Sequence, residues 1–205
     1  MFIELIDLLR CPVDHEDSWL VAAFTRMDGR FVIEGKLGCP VCSASYAVTR
    51  GIAVFADSEI SPVSSSSSPD EAMRVAALLG LTRPGALILL DEEAAGAAAD
   101  VAALAECRVI AMNAPALMEE SERVGLIHCD ARIPIAPGSV DGIVFSGDEG
   151  GFSDAARVLR PGGRIIAPAR SRLHPAFREM ARDERSVVAE LVGPLVTLSG
   201  KGTGR

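Results

Sequence analysis

Residues 86 to 167 alternate between short, uninterrupted apolar segments and segments with helical spacing. Strands are predicted at residues 86–90, 108–112, 126–129, 141–145 and 164–167, and helices between them at residues 94–104, 116–123 and 153–159. Strands that are apolar on both faces and separated by helices are typical of a parallel sheet covered on both sides. The sequence therefore predicts an α/β fold built on a parallel sheet.

A run of small polar residues separates this region from the N-terminal sixty residues. It contains Pro62, five consecutive serines at positions 64–68 and Pro69. Such a run is typical of a flexible linker. We predict a module at residues 1–60, a linker at 61–69 and a domain at 70–205. Asp70 is predicted to cap a helix that continues to Leu79 and ends at Gly80.

The elements outside the alternating region are predicted from spacing and turn residues. Residues 2–9 have the apolar spacing of a short helix, and four strands are predicted at residues 19–24, 31–33, 46–48 and 52–55. Near the C-terminus, the sequence predicts a charged helix over 175–185 and one or two closing strands over 187–198. The N-terminal module is therefore expected to be a small β unit with one helix.

Three of the five cysteines lie within the first 42 residues, at Cys11, Cys39 and Cys42. A C-x-x-C pair facing a Cys-Pro across 27 residues favours a metal over a disulfide in a reducing compartment. Tetrahedral zinc needs a fourth ligand, which we predict to be His15, with Asp14 as the alternative. The module is too small for a large core, so the expected metal is structural zinc. The competing interpretation is three free thiols.

The N-terminal motifs resemble those of the small zinc-ribbon family of tRNA-methyltransferase activators. The resemblance covers Leu8–Val13, Gly38–Cys42, Tyr46–Val48 and Gly51–Phe55, whereas Asp14 stands where many bacterial members have a cysteine. Members of that family bind methyltransferase domains and stabilise them. The resemblance implies that residues 1–60 form a zinc-ribbon-like interaction module that is not itself catalytic.

The second domain is similar to class I S-adenosylmethionine-dependent methyltransferases, on the strength of residues 130–144 and 156–166. The resemblance implies a Rossmann-like sheet of the methyltransferase type. It also implies cofactor contacts at Gly96, Asn113 and Asp130, if the cofactor site is retained.

The cofactor loop departs from the pattern of that family. The loop is expected to be rich in glycine, but here it consists of residues 91–96, with Glu92 and Glu93 in it and Gly96 as its only glycine. Asn113 stands where an acid would accept both ribose hydroxyls, and a neutral amide lacks that charge assistance. We therefore do not expect S-adenosylmethionine to bind, and we expect no catalytic residue.

The charge is unevenly distributed along the chain. The net charge is −8, yet residues 157–205 carry 10 basic and 4 acidic side chains. The acidic balance disfavours nucleic-acid binding, which needs clustered Lys and Arg. The basic segment, with Arg170, Arg172, Arg178, Arg182 and Arg185 expected around one helix, indicates either internal compensation or a face for an acidic protein or an anionic membrane surface.

These features together predict a non-catalytic methyltransferase-like subunit of a larger complex. The alternative is an active methyltransferase of unknown substrate. No apolar stretch is long enough to span a membrane, and no basic segment precedes the first apolar residues as in a secretory signal. The expected location is the cytoplasm, with the cytoplasmic face of a membrane complex as an alternative.

Overall fold

The structure is a computed structural model that describes residues 1–58, 68–115, 118–130, 132–147 and 150–193. The N-terminal part begins with a 3-10 helix at Ile3–Leu8. Four strands follow: β1 (Val21–Asp28), β2 (Phe31–Gly38), β3 (Ser45–Thr49) and β4 (Ile52–Val54). These are the short helix and the four strands that the sequence predicts, with β1 and β2 longer than expected.

The second part alternates strands and helices. Its elements are α1 (Pro69–Leu79), β5 (Leu87–Leu90), a 3-10 turn (Ala95–Ala97), α2 (Ala98–Leu104), β6 (Arg108–Met112), β7 (Val124–His128), β8 (Val140–Val144), α3 (Gly151–Val158), β9 (Leu159–Pro168), β10 (Phe177–Arg182) and β11 (Ser186–Leu191). Strands β5 to β9 form the predicted parallel series, and the central residues of each are mostly apolar and buried.

The strand order explains where a ligand would bind. The sheet has the order β1-β2-β3-β4-β7-β6-β5-β8-β9-β11-β10. From β5 the chain adds β6 and β7 on one side, and it then returns to add β8 on the other side. β5 to β9 pair in parallel, whereas β11 pairs antiparallel with β9 and β10 antiparallel with β11. This is the Rossmann-like sheet of the methyltransferase type that the sequence predicts.

The N-terminal strands continue the same sheet. β4 pairs in parallel with β7, with Ala53 opposite Ile127 and Val54 opposite His128. The amide of Phe55 also donates to the carbonyl of His128 at 2.7 Å. The division into a module, a linker and a domain stays a prediction, but the first and last of these parts share one eleven-stranded sheet.

Two apolar layers cover the sheet. One contains α1 and α2, packed on residues such as Ile88, Leu90 and Val109. The other contains α3 and the N-terminal 3-10 helix, whose Leu5 lies over β7. A Cβ atom at Gly125 would come within 2.8 Å of the Leu5 side chain, so the glycine allows this close approach.

Two predicted helices are wrong. Residues 177–182 form the edge strand β10, because pairing with β11 outweighs the local helical preference of a charged segment. Charged side chains are also suited to an exposed sheet edge. No helix is present at residues 118–123, the described part of the helix predicted at 116–123.

The start of α1 also differs from the prediction. Ser68 is the cap, and its hydroxyl accepts from the amide of Glu71 at 3.2 Å, while Asp70 lies in the first turn. Gly80 ends the helix in a left-handed conformation, as predicted. Most of the predicted linker (61–67) and the end of the predicted closing strands (194–198) lie outside the described residues. No helix in the described parts of the chain is long and apolar enough to cross a membrane.

Candidate functional site

The structure brings the four predicted metal ligands together. Ligand atoms of Cys11, His15, Cys39 and Cys42 all lie within 4.8 Å of one another. The sulfur atoms of Cys11 and Cys42 are 3.7 Å apart, and the Cys39 sulfur is 3.4 Å from Nε2 of His15. In a tetrahedral site with Zn–S bonds of about 2.3 Å, neighbouring sulfur atoms lie about 3.8 Å apart. The cluster therefore has the donor types and the spacing that zinc requires.

A backbone contact orients the imidazole of His15. Its Nδ1 is 2.6 Å from the carbonyl oxygen of Glu16, which can only accept, so Nδ1 carries the proton. Nε2 is then left with a free lone pair on the side of the cysteines, as a metal-binding histidine needs. Asp14 instead points into solvent, with its carboxylate 3.9 Å from Arg132. Of the two proposed fourth ligands, only His15 lies in the cluster.

Hydrogen bonds around the sulfur atoms change the pKa values of two of the thiols. Burial opposes ionisation of Cys39, but backbone amides of Cys42 and Val41 outweigh it and lower the pKa of Cys39 to about 6. Burial raises the pKa of the Cys11 thiol, although the Tyr46 hydroxyl, 3.2 Å from its sulfur, acts in the opposite direction. Tyr46 belongs to the motif recognised in the sequence, but nothing in the sequence predicted its contact with a ligand.

The loop that carries Cys11 and His15, the first two predicted ligands, rests on the second part of the chain. The guanidinium of Arg132 donates to the carbonyls of Pro12 and Val13, both at 3.4 Å. Arg157 in turn fixes the loop that follows Arg132, by donating to the carbonyls of Ile133 at 2.7 Å and Ile135 at 2.8 Å. The cluster is therefore built against the loop between β7 and β8.

A cavity of about 650 Å³, here called the main pocket, lies at the carboxyl ends of the parallel strands. Its walls are formed by residues that directly follow four strands: Asp91 after β5, Asn113 after β6, Cys129 after β7 and Phe145 after β8. Crevices at this end of an open α/β sheet, where the strand order reverses, are the usual ligand sites of such folds. The main pocket is the candidate ligand site.

Asp91 closes the base of the main pocket. Its carboxylate accepts hydrogen bonds from the amide of Ala94, at 3.2 Å, and from the amide of Ser146. It therefore ties the end of β5 to the end of β8. Burial raises the pKa of Asp91, although these two hydrogen bonds act in the opposite direction. The bond to Ala94 also caps the helical turn that follows.

The three residues proposed as cofactor contacts differ in their positions. Asn113 and Asp130 line the main pocket, whereas Gly96 lies in the 3-10 turn and is not among the lining residues. The side-chain oxygen of Asn113 accepts from the amide of Cys129 at 2.9 Å. The Asp130 carboxylate is exposed and accepts from the Ser58 hydroxyl at 3.0 Å. Asn113 is thus partly committed to holding β6 and β7 together.

The lining of the main pocket is acidic. It includes the side chains of Asp91, Glu92, Glu93 and Asp130 together with the apolar residues Met112, Ile133 and Phe145. No Lys, Arg or His occurs among the described residues that line it. His128 is buried at the end of β7, where its Nε2 contacts the Ser58 carbonyl oxygen at 2.9 Å. It is therefore a buried histidine at the end of a strand.

Comparison with known proteins yields similarity of fold only. No family model matches the chain, and no curated protein matches its sequence. Among solved structures, a protein from Methanococcus maripaludis described as an S-adenosyl-L-methionine-dependent methyltransferase is 14% identical. Its TM-score is 0.47 over 62% of this chain and 86% of that one. Phosphoethanolamine N-methyltransferase 2 from Haemonchus contortus is 19% identical, with a TM-score of 0.44 over 58% of this chain and 31% of that one.

Geranyl diphosphate C-methyltransferase from Streptomyces coelicolor A3(2) is 18% identical, with a TM-score of 0.41 over 48% of this chain and 42% of that one. The chain thus spans less than half the length of the Haemonchus and Streptomyces enzymes. Identities and scores at this level do not transfer an activity.

Proposed function

We propose that the chain is a non-catalytic, methyltransferase-like protein that acts as a binding or assembly subunit of a larger complex. The observation that carries this proposal is that polar groups of the main pocket are bonded to the main chain or are negatively charged. The Asp91 carboxylate and the Asn113 oxygen are bonded to main-chain amides, and the remaining charged groups are carboxylates. A cofactor that carries its own carboxylate would meet no cationic partner among the described lining residues.

The acidic lining would oppose the carboxylate of a bound cofactor. Two like charges about 4 Å apart in water, the medium around exposed side chains, repel by about 1 kcal/mol. Micromolar binding is worth about 8 kcal/mol, and each such contact would weaken it roughly fivefold. Glu92 and Glu93 both line the main pocket, and both are exposed. This supports the absence of S-adenosylmethionine binding.

We also propose that the Cys11, His15, Cys39 and Cys42 cluster holds one structural zinc ion. Four protein ligands would close the coordination sphere, so the ion would stabilise the N-terminal part without activating a substrate. The hydrogen bond from His15 to Glu16 and the hydroxyl of Tyr46 beside Cys11 would orient the ligands.

The exposed apolar side chains near the cluster support a role in assembly. Trp19 is 71% and Val21 64% exposed, and Val13 and Val41 are also exposed. Val41 lies between two of the ligands, and Trp19 pairs across a β-bridge with Arg10, which precedes Cys11. Apolar side chains that remain exposed together are typical of a surface that another protein covers. A protein partner would therefore dock on the metal-binding end.

Calorimetry with S-adenosylmethionine tests the absence of a cofactor. The full chain should show no saturable heat at cofactor concentrations up to about 1 mM, a thousandfold above a micromolar Kd. The double variant Glu92→Gln/Glu93→Gln keeps the size of the side chains and should bind more tightly than the natural chain. Saturable micromolar binding by the natural chain would overturn the proposal.

A capture experiment from native lysate tests the assembly role. The full chain should retain a discrete partner that the double variant Trp19→Ser/Val21→Ser loses. The matched control is Met73→Ser/Leu104→Ser, which changes two exposed apolar residues far along the chain from the cluster. Equal capture by all three proteins, or none, would count against this role.

The second candidate function is an active S-adenosylmethionine-dependent methyltransferase. The volume of the main pocket and the position of Asp130 in its wall favour it, because such cavities suit ligands of this size. The same calorimetric titration decides between the two functions.

A further inference from the structure

A second cavity adjoins the main pocket. It has a volume of about 430 Å³ and is here called the arginine pocket, because Arg170 and Arg172 line it together with Ser171. Ser146 and Gly147 line both cavities, so the two adjoin each other just after the end of β8. The arginine pocket is bounded on its other side by Pro168, the last residue of β9.

Arg170 and Arg172 differ from the other described arginines of the basic C-terminal segment. Arg157, Arg160, Arg178, Arg182 and Arg185 each form an ion pair with a carboxylate, and Arg164 donates to the carbonyl of Leu78. Within the described part of the chain, Arg170 and Arg172 have neither an ion pair nor a side-chain hydrogen bond. Most of the basic charge of residues 157–193 is therefore compensated internally, and the two uncompensated arginines line one cavity.

The turn that carries these two arginines is fixed at its base. The amide of Ser171 donates to the carbonyl of Pro168 at 2.9 Å, and the amide of Ala169 donates to the carbonyl of Arg185 at 3.0 Å. The Arg182 guanidinium also donates to the carbonyl of Ala169. The main chain is therefore held in place, while two guanidinium groups remain available. A negatively charged ligand could therefore contact both guanidinium groups without a rearrangement of the main chain, and such preorganisation favours binding.

We propose that the arginine pocket binds the phosphate group of a small phosphate ester, whose neutral or cationic remainder extends into the acidic main pocket. Planar guanidinium groups match the geometry of phosphate oxygens, and two of them balance the charge of a phosphate monoester. A carboxylate on the remainder would be repelled by the acidic lining of the main pocket. The proposal does not rest on the absence of S-adenosylmethionine binding, because none of the proposed cofactor contacts lines the arginine pocket.

Titration of the full chain with inorganic phosphate and with glycerol 3-phosphate tests the proposal. Both should bind saturably, and the double variant Arg170→Gln/Arg172→Gln should bind at least about tenfold more weakly, because charge-assisted hydrogen bonds are lost. The matched control is Arg178→Gln, which removes an exposed arginine outside the pocket and should bind as the natural chain does. Arg170 and Arg172 are exposed and unpaired in the described structure, so the double variant should keep its melting temperature.

Two comparisons define the ligand further. Glycerol 3-phosphate should bind more tightly than 3-phosphoglycerate, and Glu92→Gln/Glu93→Gln should reduce that difference. Vesicles containing phosphatidic acid should not compete with glycerol 3-phosphate at equal accessible phosphate. The proposal is overturned if neither small phosphate binds, if all arginine variants bind equally, or if only the vesicles bind.

Discussion

The backbone amide of Arg10 donates to the carbonyl of Pro134 at 2.9 Å. Arg10 immediately precedes the first cysteine of the cluster, and Pro134 immediately follows Ile133, which lines the main pocket. Leu9 and Ile135 form an isolated β-bridge beside this contact, and the amide of Ala136 donates to the carbonyl of Leu8 at 2.8 Å. The segment leading into the cluster is therefore paired with the loop that forms one wall of the pocket.

We predict that purified protein contains about one zinc ion per chain, as expected for one closed four-ligand site. His15→Ala should lose at least about tenfold in zinc affinity, whereas Asp14→Ala should keep it, because only the imidazole lies among the sulfur atoms. Elemental analysis after gel filtration and competition with a chelator measure both quantities. Loss of zinc in Asp14→Ala but not in His15→Ala would exchange the two assignments.

Trp19 provides an optical measurement of the same site. It is the only tryptophan of the chain, and the Arg10 guanidinium lies 5.3 Å from the centre of its ring. Removal of the metal should release the segment between Cys11 and Trp19 and change the emission of that tryptophan. Emission that is identical with and without a chelator would show that the cluster does not order this segment.

Tyr46→Phe should weaken zinc binding about tenfold without removing a ligand. The change deletes the hydroxyl that lies 3.2 Å from the Cys11 sulfur, and loss of such supporting contacts typically costs ten- to a hundredfold in affinity. Chelator competition measures the change. The ring contact of Tyr46 with Phe55, at 4.8 Å between centroids, is available to the phenylalanine as well, so stability with metal bound should change little.

Leu9→Ala should destabilise the whole chain by about 2–5 kcal/mol, the usual cost of removing a fully buried leucine. Because one sheet runs through both parts, unfolding should remain a single transition that shifts as a unit. Denaturant unfolding followed by Trp19 emission and by circular dichroism tests this. Leu104→Ala, at an exposed position, should change stability by less than about 0.5 kcal/mol. Two separate transitions would instead support independent folding of residues 1–60.

The cluster and the parallel strands could be predicted because their signals are local. Ligand types at fixed spacing identified Cys39 and Cys42, and unbroken apolar runs identified strands such as β5. Pairing between β4 and β7 could not be predicted, because main-chain hydrogen bonds between residues such as Ala53 and Ile127, which are 74 positions apart, leave no mark on side-chain type. The same reason applies to β10, where the sequence shows charge but not the neighbouring strand. The sequence could not distinguish Arg170 and Arg172 from the other arginines of the basic segment. Which arginines have a carboxylate partner is decided by the fold.

The carboxylate of Asp183 should make stability depend on pH in the acid range. Hydrogen bonds from the amides of Ser186 and Arg185 hold the pKa of Asp183 below its ordinary value of 3.8. The folded state therefore binds this proton less readily than the unfolded state. The stabilisation is complete above that value, and it is lost as the pH falls through the lower pKa of the folded state.

Asp183→Asn should therefore lose less stability than the natural chain when the pH falls from 5 to about 2. The free energy of unfolding, measured at several pH values in that interval, tests this. Glu184→Gln, which removes the carboxylate of the next and also exposed residue, is the matched control variant. Parallel curves for Asp183→Asn and the natural chain would contradict the assigned role of Asp183.

The pairing of β4 with β7 has a further consequence for how the protein behaves on dilution. When two separate chains form such a pair, the fraction joined depends on their concentrations. Here both strands belong to one chain, so the fraction paired does not depend on the concentration of the protein. The edge of β7 is therefore covered even in a very dilute cell extract, and it is not offered to the strands of other proteins as a template for aggregation.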